Sequence, residues 1–226
     1  MVHDAVIISD VHLGSDVCQS HRLDCFLNKI MDRKIRTKRL VVNGDLFDSL
    51  DFRKLPKGHW KILKDLRSLS GDIETIWICG NHDGHYEAVG SLIGLDFSDD
   101  YEFETGDFMA LCTHGHRYDT FIQSHPILTK AADSIYWLMQ KIDNSHTLAI
   151  YAKQNSKTFL RNSRKIRFRA VEDASTRGCK IVCCGHTHQA ETTLCDGIWY
   201  GNSGCWTDSK SSWLSVSEGA LSLHFE

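Results

Sequence analysis

Only two prolines occur in 226 residues. No repeat, low-complexity tract or Gly/Pro/Ser-rich stretch breaks the chain, so nothing in it reads as a linker and a single domain is expected over 1–226. No apolar run approaches the roughly 18 residues that a membrane-spanning helix requires. The opening stretch from Met1 to Asp10 has neither a basic region nor a cleavage site, which sets the expectation of a cytoplasmic protein. An excess of one charge is also missing: 26 Lys and Arg face 29 Asp and Glu, a net charge of -3. That excludes a general polyanion binder, and nucleic acid is not an expected partner. Paired Cys-x-x-Cys spacing is absent among nine cysteines, which argues against a thiolate zinc site. Cys79, Cys112, Cys183 and Cys184 lie inside apolar runs, where a reduced thiol serves as a small buried hydrophobe.

What the chain does have is punctuation. Short apolar runs recur at Ala5–Ile8, Leu40–Val42, Ile76–Cys79, Met109–Cys112 and Ile181–Cys184, and they read as buried strands. Between the first two, Leu23, Phe26, Leu27, Ile30 and Met31 repeat at helical spacing; between the next two, Ile62, Leu63, Leu66 and Leu69 do the same. Alternation of strand and helix points to an α/β fold with right-handed crossovers. Beyond Gly197 the runs shorten to Ile198–Tyr200, Trp213–Val216 and Leu221–Phe225, with Glu218-Gly219 as a hairpin turn, so a second sheet or a sheet edge is expected there.

Each of the five buried runs leads into polar residues: Asp10-Val-His12, Gly44-Asp45-Leu-Phe-Asp48, Gly80-Asn81-His82-Asp83, His114-Gly-His116 and Gly185-His186-Thr-His188. Ligands of open α/β sheets bind at the carboxyl ends of the strands, so the five loops should converge. Carboxylate, imidazole and amide oxygen form a mixed donor set that suits Mn²⁺, Fe or Zn²⁺ better than an all-oxygen Mg²⁺ cage. The glycines are expected to let the backbone leave each strand sharply. Seven candidate ligands, Asp10, His12, Asp45, Asn81, His114, His186 and His188, exceed the needs of one ion and suit two sharing a carboxylate. Two metals about 3.5–4 Å apart clamp the attacking and leaving oxygens of an in-line displacement at phosphorus. Either His114 or His116 could complete the fourth block, and His114 is taken because it comes first after the strand. Asn202 and Trp206 are read as packing and turn residues. The remaining seven histidines are read as ordinary surface or core residues.

These five blocks resemble, in order, those of the calcineurin-like metallophosphoesterases: Asp-x-His, Gly-Asp-x-x-Asp, Gly-Asn-His-Asp/Glu, a lone His and Gly-His-x-His. The resemblance implies two stacked mixed β-sheets flanked by helices and two divalent ions. It places one ion on Asp10, His12, Asp45 and His188, and the other on Asp45, Asn81, His114 and His186, with Asp45 as the bridge. It also implies a catalytic His82, with Asp48 as the carboxylate partner of its imidazole. Some relatives keep the fold as binding modules without catalysis; all seven candidate ligands and His82 are present here, which favours an enzyme.

About sixty residues separate the fourth and fifth blocks, and this stretch, 117–178, is read as a helical cap insertion. Ile127, Leu128, Ala131, Ile135, Leu138, Met139 and Ile142 form one apolar stripe. The stretch carries eleven Lys or Arg and five Asp or Glu, a local charge of +6, with Lys157, Arg161, Arg164, Lys165, Arg167 and Arg169 clustered. Lys157, Arg161 and Arg164 are candidate contacts to a phosphorylated, amphipathic substrate, and the surface of a membrane is a candidate contact for the cap. The insertion and the segments Ile8–Gly14 and Gly201–Trp206 are similar to the UDP-2,3-diacylglucosamine pyrophosphatases, which cleave a nucleotide-linked glycolipid during lipid A synthesis, commonly with Mn²⁺. The chain departs from that group in carrying His82 where they have Arg, and His116 where they have Asp. A phosphomonoesterase or nucleotide phosphodiesterase on the same scaffold is the alternative.

Overall fold

The first run is buried on both of its faces, and that decides the layering. In a computed structural model that describes residues 2–49, 52–84, 87–120 and 157–226, Ala5 and Ile7 face one side of strand β1 (Ala5–Ile8) while Val6 and Ile8 face the other. Both sides are apolar, as a strand covered on two faces requires. Strands β2 (Arg39–Asn43), β3 (Glu74–Ile78) and β4 (Asp96–Ser98) continue the sheet in parallel from β1. Strands β5 (Asp100–Thr105), β6 (Phe108–Thr113), β7 (Ile181–Cys184), β8 (Glu191–Cys195) and β9 (Ile198–Asn202) form a second sheet. Its order is β5-β6-β7-β9-β8, with β6, β7 and β9 parallel and β5 and β8 antiparallel at the edges. The last two strands, β10 (Ser212–Ser217) and β11 (Ala220–Phe225), return to the first sheet, which runs β11-β10-β1-β2-β3-β4. Of the three late runs, therefore, only the one at Ile198 joins the second sheet. Glu218 and Gly219 both have positive φ, 50° and 78°, as a two-residue type I′ turn requires.

Four layers result. Helix α1 (Ser20–Met31) and helix α2 (Lys57–Leu69) bury Leu23, Phe26, Leu27, Ile62 and Leu66 against Val6, Ile8, Leu40, Val42 and Trp77 of the first sheet. Ile7, Val41 and Ile76 meet Phe103, Ala110, Ile181 and Cys183 between the two sheets. Val182, Cys184 and Tyr200 of the second sheet are covered by Ile166, Ala170, Val171 and Ala174. These four belong to helix α4 (Lys157–Thr176); α3 (Glu87–Ile93) is a short helix before β4. Three of the four cysteines read as buried hydrophobes are so, Cys112 and Cys183 facing the sandwich interior and Cys184 the outer layer, while Cys79 is half-buried just beyond β3; all nine are free thiols.

Helix α4 lies in the stretch 117–178 read as a helical cap insertion, and its described apolar side is the fourth layer of the sandwich. Residues 121–156, including the stripe from Ile127 to Ile142, lie outside the described residues. Among the described residues no helix is long and apolar enough to cross a membrane.

Strands β1, β2, β3, β6 and β7 all deliver their carboxyl ends to the same edge of the sandwich. The loops beyond β1 and β2 are joined by main-chain bonds from Asp10 N to Gly44 O (3.0 Å), Val11 N to Asp45 O (2.9 Å) and Leu13 N to Leu46 O (2.8 Å). His59, buried on α2, accepts the Gly14 N–H at 2.8 Å and so ties that helix to the first loop. Burial lowers the pKa of His59. The unfolded chain takes up this proton as pH falls through about 6.5, while the folded chain resists it, so stability is full above that pH and is lost below it. The difference in unfolding free energy between wild type and His59→Asn, measured by urea titration, should change between pH 7 and 5 by up to about 1.4 kcal/mol per pH unit, with wild type losing more.

Candidate metal centre

Main-chain geometry aims the candidate ligands. Asp10, His12, Asp45, His186 and His188 all hold positive φ, between 52° and 66°, a region that costs a non-glycine residue about 1–2 kcal/mol and that Asp and His enter more readily than most. Of the glycines that open the second, third and fifth blocks, only Gly44 has positive φ, at 88°. Gly80 and Gly185 are required for closeness instead. A Cβ at Gly80 would lie 2.2 Å from Asp45 N and Oδ1, and one at Gly185 would lie 2.5 Å from Asp10 Oδ2. The sequence expectation of a sharp exit from the strand therefore holds at Gly44, while at the other two positions a carboxylate occupies the space a side chain would take.

All seven candidate ligands meet at this edge. His188 Nε2 lies 3.1 Å from Asp10 Oδ1 and 3.4 Å from His12 Nε2. His12 Nε2 is 3.8 Å from Asp45 Oδ2, and the same carboxylate oxygen is 3.3 Å from His114 Nε2. Asn81 Oδ1 stands between His114 Nε2 (3.2 Å) and His186 Nδ1 (3.0 Å). One donor atom from each of Asp10, His12 and His188, and likewise of Asp10, Asp45 and His114, lies within 4.8 Å of the others in its group.

This donor set fits divalent ions. His114 Nδ1 donates to the Asn43 carbonyl at 2.8 Å, which leaves Nε2 facing two further acceptors, Asp45 Oδ2 and Asn81 Oδ1. Three acceptors converging without a positive charge would repel one another. Burial opposes protonation of His114, yet Asp45 and Asp10 push its pKa up to about 10. Burial likewise disfavours ionised Asp45 and Asp10, and the facing imidazoles hold both well below the usual carboxylate range. The cradle is built for positive charge, and two of its imidazoles, His114 through Asn43 O and His186 through Asp119, have the outward hydrogen-bond partners typical of metal-ligating histidines.

The other candidates fall differently. His82 and Asn81 are exposed at the mouth. His82 Nδ1 donates to the main-chain oxygen of Asp48 at 3.1 Å, whereas the Asp48 carboxylate lies 3.5 Å from His12 Nδ1. Asp48 N bonds Leu13 O (3.0 Å) and a parallel bridge joins Leu13 to Phe47, which sets Asp48 beside His12, and one donor atom each of His12, Asp48 and His82 lies within 4.8 Å of the others. His116 stands outside the cradle, its ring centroid 5.4 Å from that of His114, and burial together with the His114 charge lowers its pKa to about 4. Arg161 and Arg164 are exposed on α4; the side chain of Lys157 lies outside the described residues. Arg164 lines a cavity of about 200 Å³ with Leu160, Arg167, Gln189 and Glu191, next in sequence to His188. Their neighbours Arg167 and Arg169 turn inward to Glu191 (3.0 Å) and the Tyr118 carbonyl (2.9 Å). A larger cavity of about 600 Å³ lies at the opposite end of the sandwich, where Lys38 and Arg39 are already paired with Asp4 (2.7 Å) and Glu74 (2.9 Å).

A match to the calcineurin-like phosphoesterase superfamily domain covers residues 4–216. The chain belongs to this superfamily. Its members depend on metal, consistent with the donor set above. No curated protein matches the chain. Among solved structures, an archaeal phosphodiesterase shares the fold at a TM-score of 0.52 and 13% identity, over 98% of this chain and 99% of that one. Yfce, a phosphoesterase from E. coli, does so at 0.53 and 17%, over 96% and 90%. Vps29 of Chaetomium thermophilum does so at 0.51 and 9%, over 98% and 96%. At these identities the likeness is one of fold.

Other residues shape the centre without having been singled out as site residues in the sequence. Asp83, fully buried, accepts from the main-chain N–H groups of Asp45 (2.7 Å), Gly80 (2.9 Å) and Phe47 (3.1 Å) and from Trp77 Nε1 (3.1 Å). Burial, and then the Asp45 charge, raise its pKa to about 6. Its signal was present as the last residue of the third block. Asn43 donates to Thr113 O (3.2 Å) and Cys183 O (3.0 Å) and so joins the two sheets beneath His114. Asn202 donates to Gly185 O at 2.6 Å, and Trp206 is fully buried against Phe26, in keeping with turn and packing roles.

Gly80→Ala should displace Asp45. Calorimetric titration with Mn²⁺ is expected to show affinity reduced about 10–100-fold, with a stability loss of about 1–3 kcal/mol. Gly58→Ala, in the first turn of α2 with its nearest neighbour at 3.5 Å, should leave both unharmed.

Proposed function

We propose that the chain is a hydrolase of a pyrophosphate or phosphodiester bond that works with two divalent cations, Mn²⁺ first among them. The observation that carries this reading is the approach of Asp10 to His188 at 3.1 Å, with Asp45 set between His12 and His114. Asp10, His12 and His188 would hold one ion, Asn81, His114 and His186 the other, with Asp45 shared. Bound there, divalent cations supply Lewis acidity, activating water and neutralising charge that develops at phosphorus.

The chain's own residues provide the rest. Asp10 and Asp45 keep the cradle anionic, and the outward bonds of His114 and His186 fix which ring nitrogen faces inward. His82, exposed beside His12 with ring centroids 4.9 Å apart and anchored through Nδ1–H to the Asp48 carbonyl, turns Nε2 to the cradle, and as the imidazolium it would donate that nitrogen's proton to a departing oxygen. Arg161 and Arg164 are exposed on the helix that flanks the His186–His188 loop and would meet a further anionic group of the substrate. A nucleotide-linked glycolipid such as UDP-2,3-diacylglucosamine satisfies these demands. It couples a pyrophosphate to apolar chains, and it would bring the protein to the cytoplasmic face of a membrane.

An activated monoester, an activated diester and UDP-2,3-diacylglucosamine, assayed side by side with Mn²⁺, test the proposal. Diester or pyrophosphate cleavage should exceed monoester cleavage, and Asp45→Asn should lower turnover about 10²–10³-fold, the range for removing one transition-state contact. Turnover confined to the monoester would reject the bond assignment. Activity indifferent to chelator, or unchanged in Asp45→Asn, would reject the metal assignment.

A further inference from the structure

Asp119 lies beyond the five blocks, yet it is buried, with 3% of its surface exposed, and its Oδ2 stands 3.0 Å from His186 Nε2. The same oxygen accepts from Asn162 Nδ2 of α4 at 2.8 Å. A carboxylate can only accept, so the ring nitrogen facing it must carry the proton. Once Nε2 is the donor, the neutral His186 ring has its lone pair on Nδ1, the atom 3.0 Å from Asn81 Oδ1. His114 is fixed in the opposite sense: Nδ1 donates outward to Asn43 and Nε2 faces inward. The two imidazoles flanking Asn81 thus present different nitrogens to the same cradle, and in each case the outer acceptor makes the choice.

The segment that carries Asp119 is held on several sides. It follows the 3₁₀ turn His116–Tyr118. There, Arg117 bridges Asp100 (2.9 Å) and Asp173 (3.0 Å), the Tyr118 hydroxyl bonds Asp173, and Arg169 bonds the Tyr118 carbonyl. Three of these contacts come from α4, so the helix that closes the second sheet also sets the position of the carboxylate behind His186.

We infer that Asp119, held by Asn162, is a positioning residue that fixes His186 in its Nε2-protonated tautomer and so presents Nδ1 as a donor to a divalent cation. The inference rests on the metal reading above, but it has a readout that needs no metal. Long-range ¹H–¹⁵N spectra of the metal-free protein, with His186 identified by its disappearance in His186→Gln, should show Nε2 protonated and Nδ1 bare in the wild type. In Asp119→Ala the Nδ1-protonated form should appear, and calorimetric affinity for Mn²⁺ should fall about 10–100-fold. Asp119→Asn keeps an oxygen able to accept from both His186 and Asn162, so it should retain the wild-type tautomer and most of the affinity. If Asp119→Ala fails to fold, the wild-type and Asn spectra still decide. A wild-type His186 protonated at Nδ1 alone would overturn the inference, as would an Asn variant with the tautomer of the Ala variant. If the wild type binds no divalent ion, the proposed function fails and the tautomer still tests the role of Asp119.

Discussion

Everything at this edge depends on crowding two carboxylates, four imidazoles and the Asn81 amide together, neighbouring donor atoms 3.0–3.8 Å apart, while five of the seven candidate ligands adopt left-handed backbone. Neither condition is favourable alone. The backbone costs about 1–2 kcal/mol at each such residue, and buried carboxylates resist ionisation. Both conditions persist because the surroundings over-determine them. Asp83 receives three main-chain N–H groups from the loops after β2 and β3. The loop after β1 is joined to that after β2, and Asn43 links the two sheets directly below the centre. Positive charge, whether protons on His114 or a bound cation, relieves the crowding that the fold imposes.

The two-sheet arrangement explains why the site needs contributions from so much of the chain. Strands β1, β2 and β3 bring Asp10, His12, Asp45 and Asn81 from one sheet; β6 and β7 bring His114, His186 and His188 from the other. The cradle is therefore a seam between sheets. Its geometry depends on the packing of Ile7, Val41 and Ile76 against Ala110, Ile181 and Cys183. A shift of one sheet over the other would separate Asp10 from His188 before it disturbed either strand set.

The clustering of the candidate ligands was legible because each follows a buried run directly and strand direction alone fixes where such residues go. Parallel strands β1 to β3, β6 and β7, the helices α1 and α2 and the Glu218-Gly219 turn were all readable from periodicity. Less was readable where tertiary contacts overrode local pattern. Strand β8 alternates weakly and its residues are only half-buried, and β4 has three residues. The return of β10 and β11 to the first sheet depends on long-range pairing with β1. The least legible part of α4 was its packing: six cations in thirteen residues drew the reading toward a substrate-facing cap, while Ile166, Ala170, Val171 and Ala174 form a stripe that the sheet buries. The surroundings of Asp48 were only partly legible for a related reason. The resemblance paired it with His82, and nothing in the sequence could show that the bridge between Leu13 and Phe47 brings its carboxylate beside His12 as well.

Helix α4 consequently links stability to chemistry. One side supplies part of a hydrophobic layer, while another contributes Asn162 toward Asp119 and exposes Arg161 and Arg164 near the His186–His188 loop. A helix packed this way has little freedom to rotate, because turning its cations would expose the apolar stripe. Its basic residues are therefore divided by geometry, Arg167 and Arg169 serving the sandwich and Arg161 and Arg164 left to solvent. An anionic substrate arriving at the edge would meet guanidinium groups whose direction was already set by the burial of Ile166 and Ala170, so recognition there would require little further ordering of the backbone.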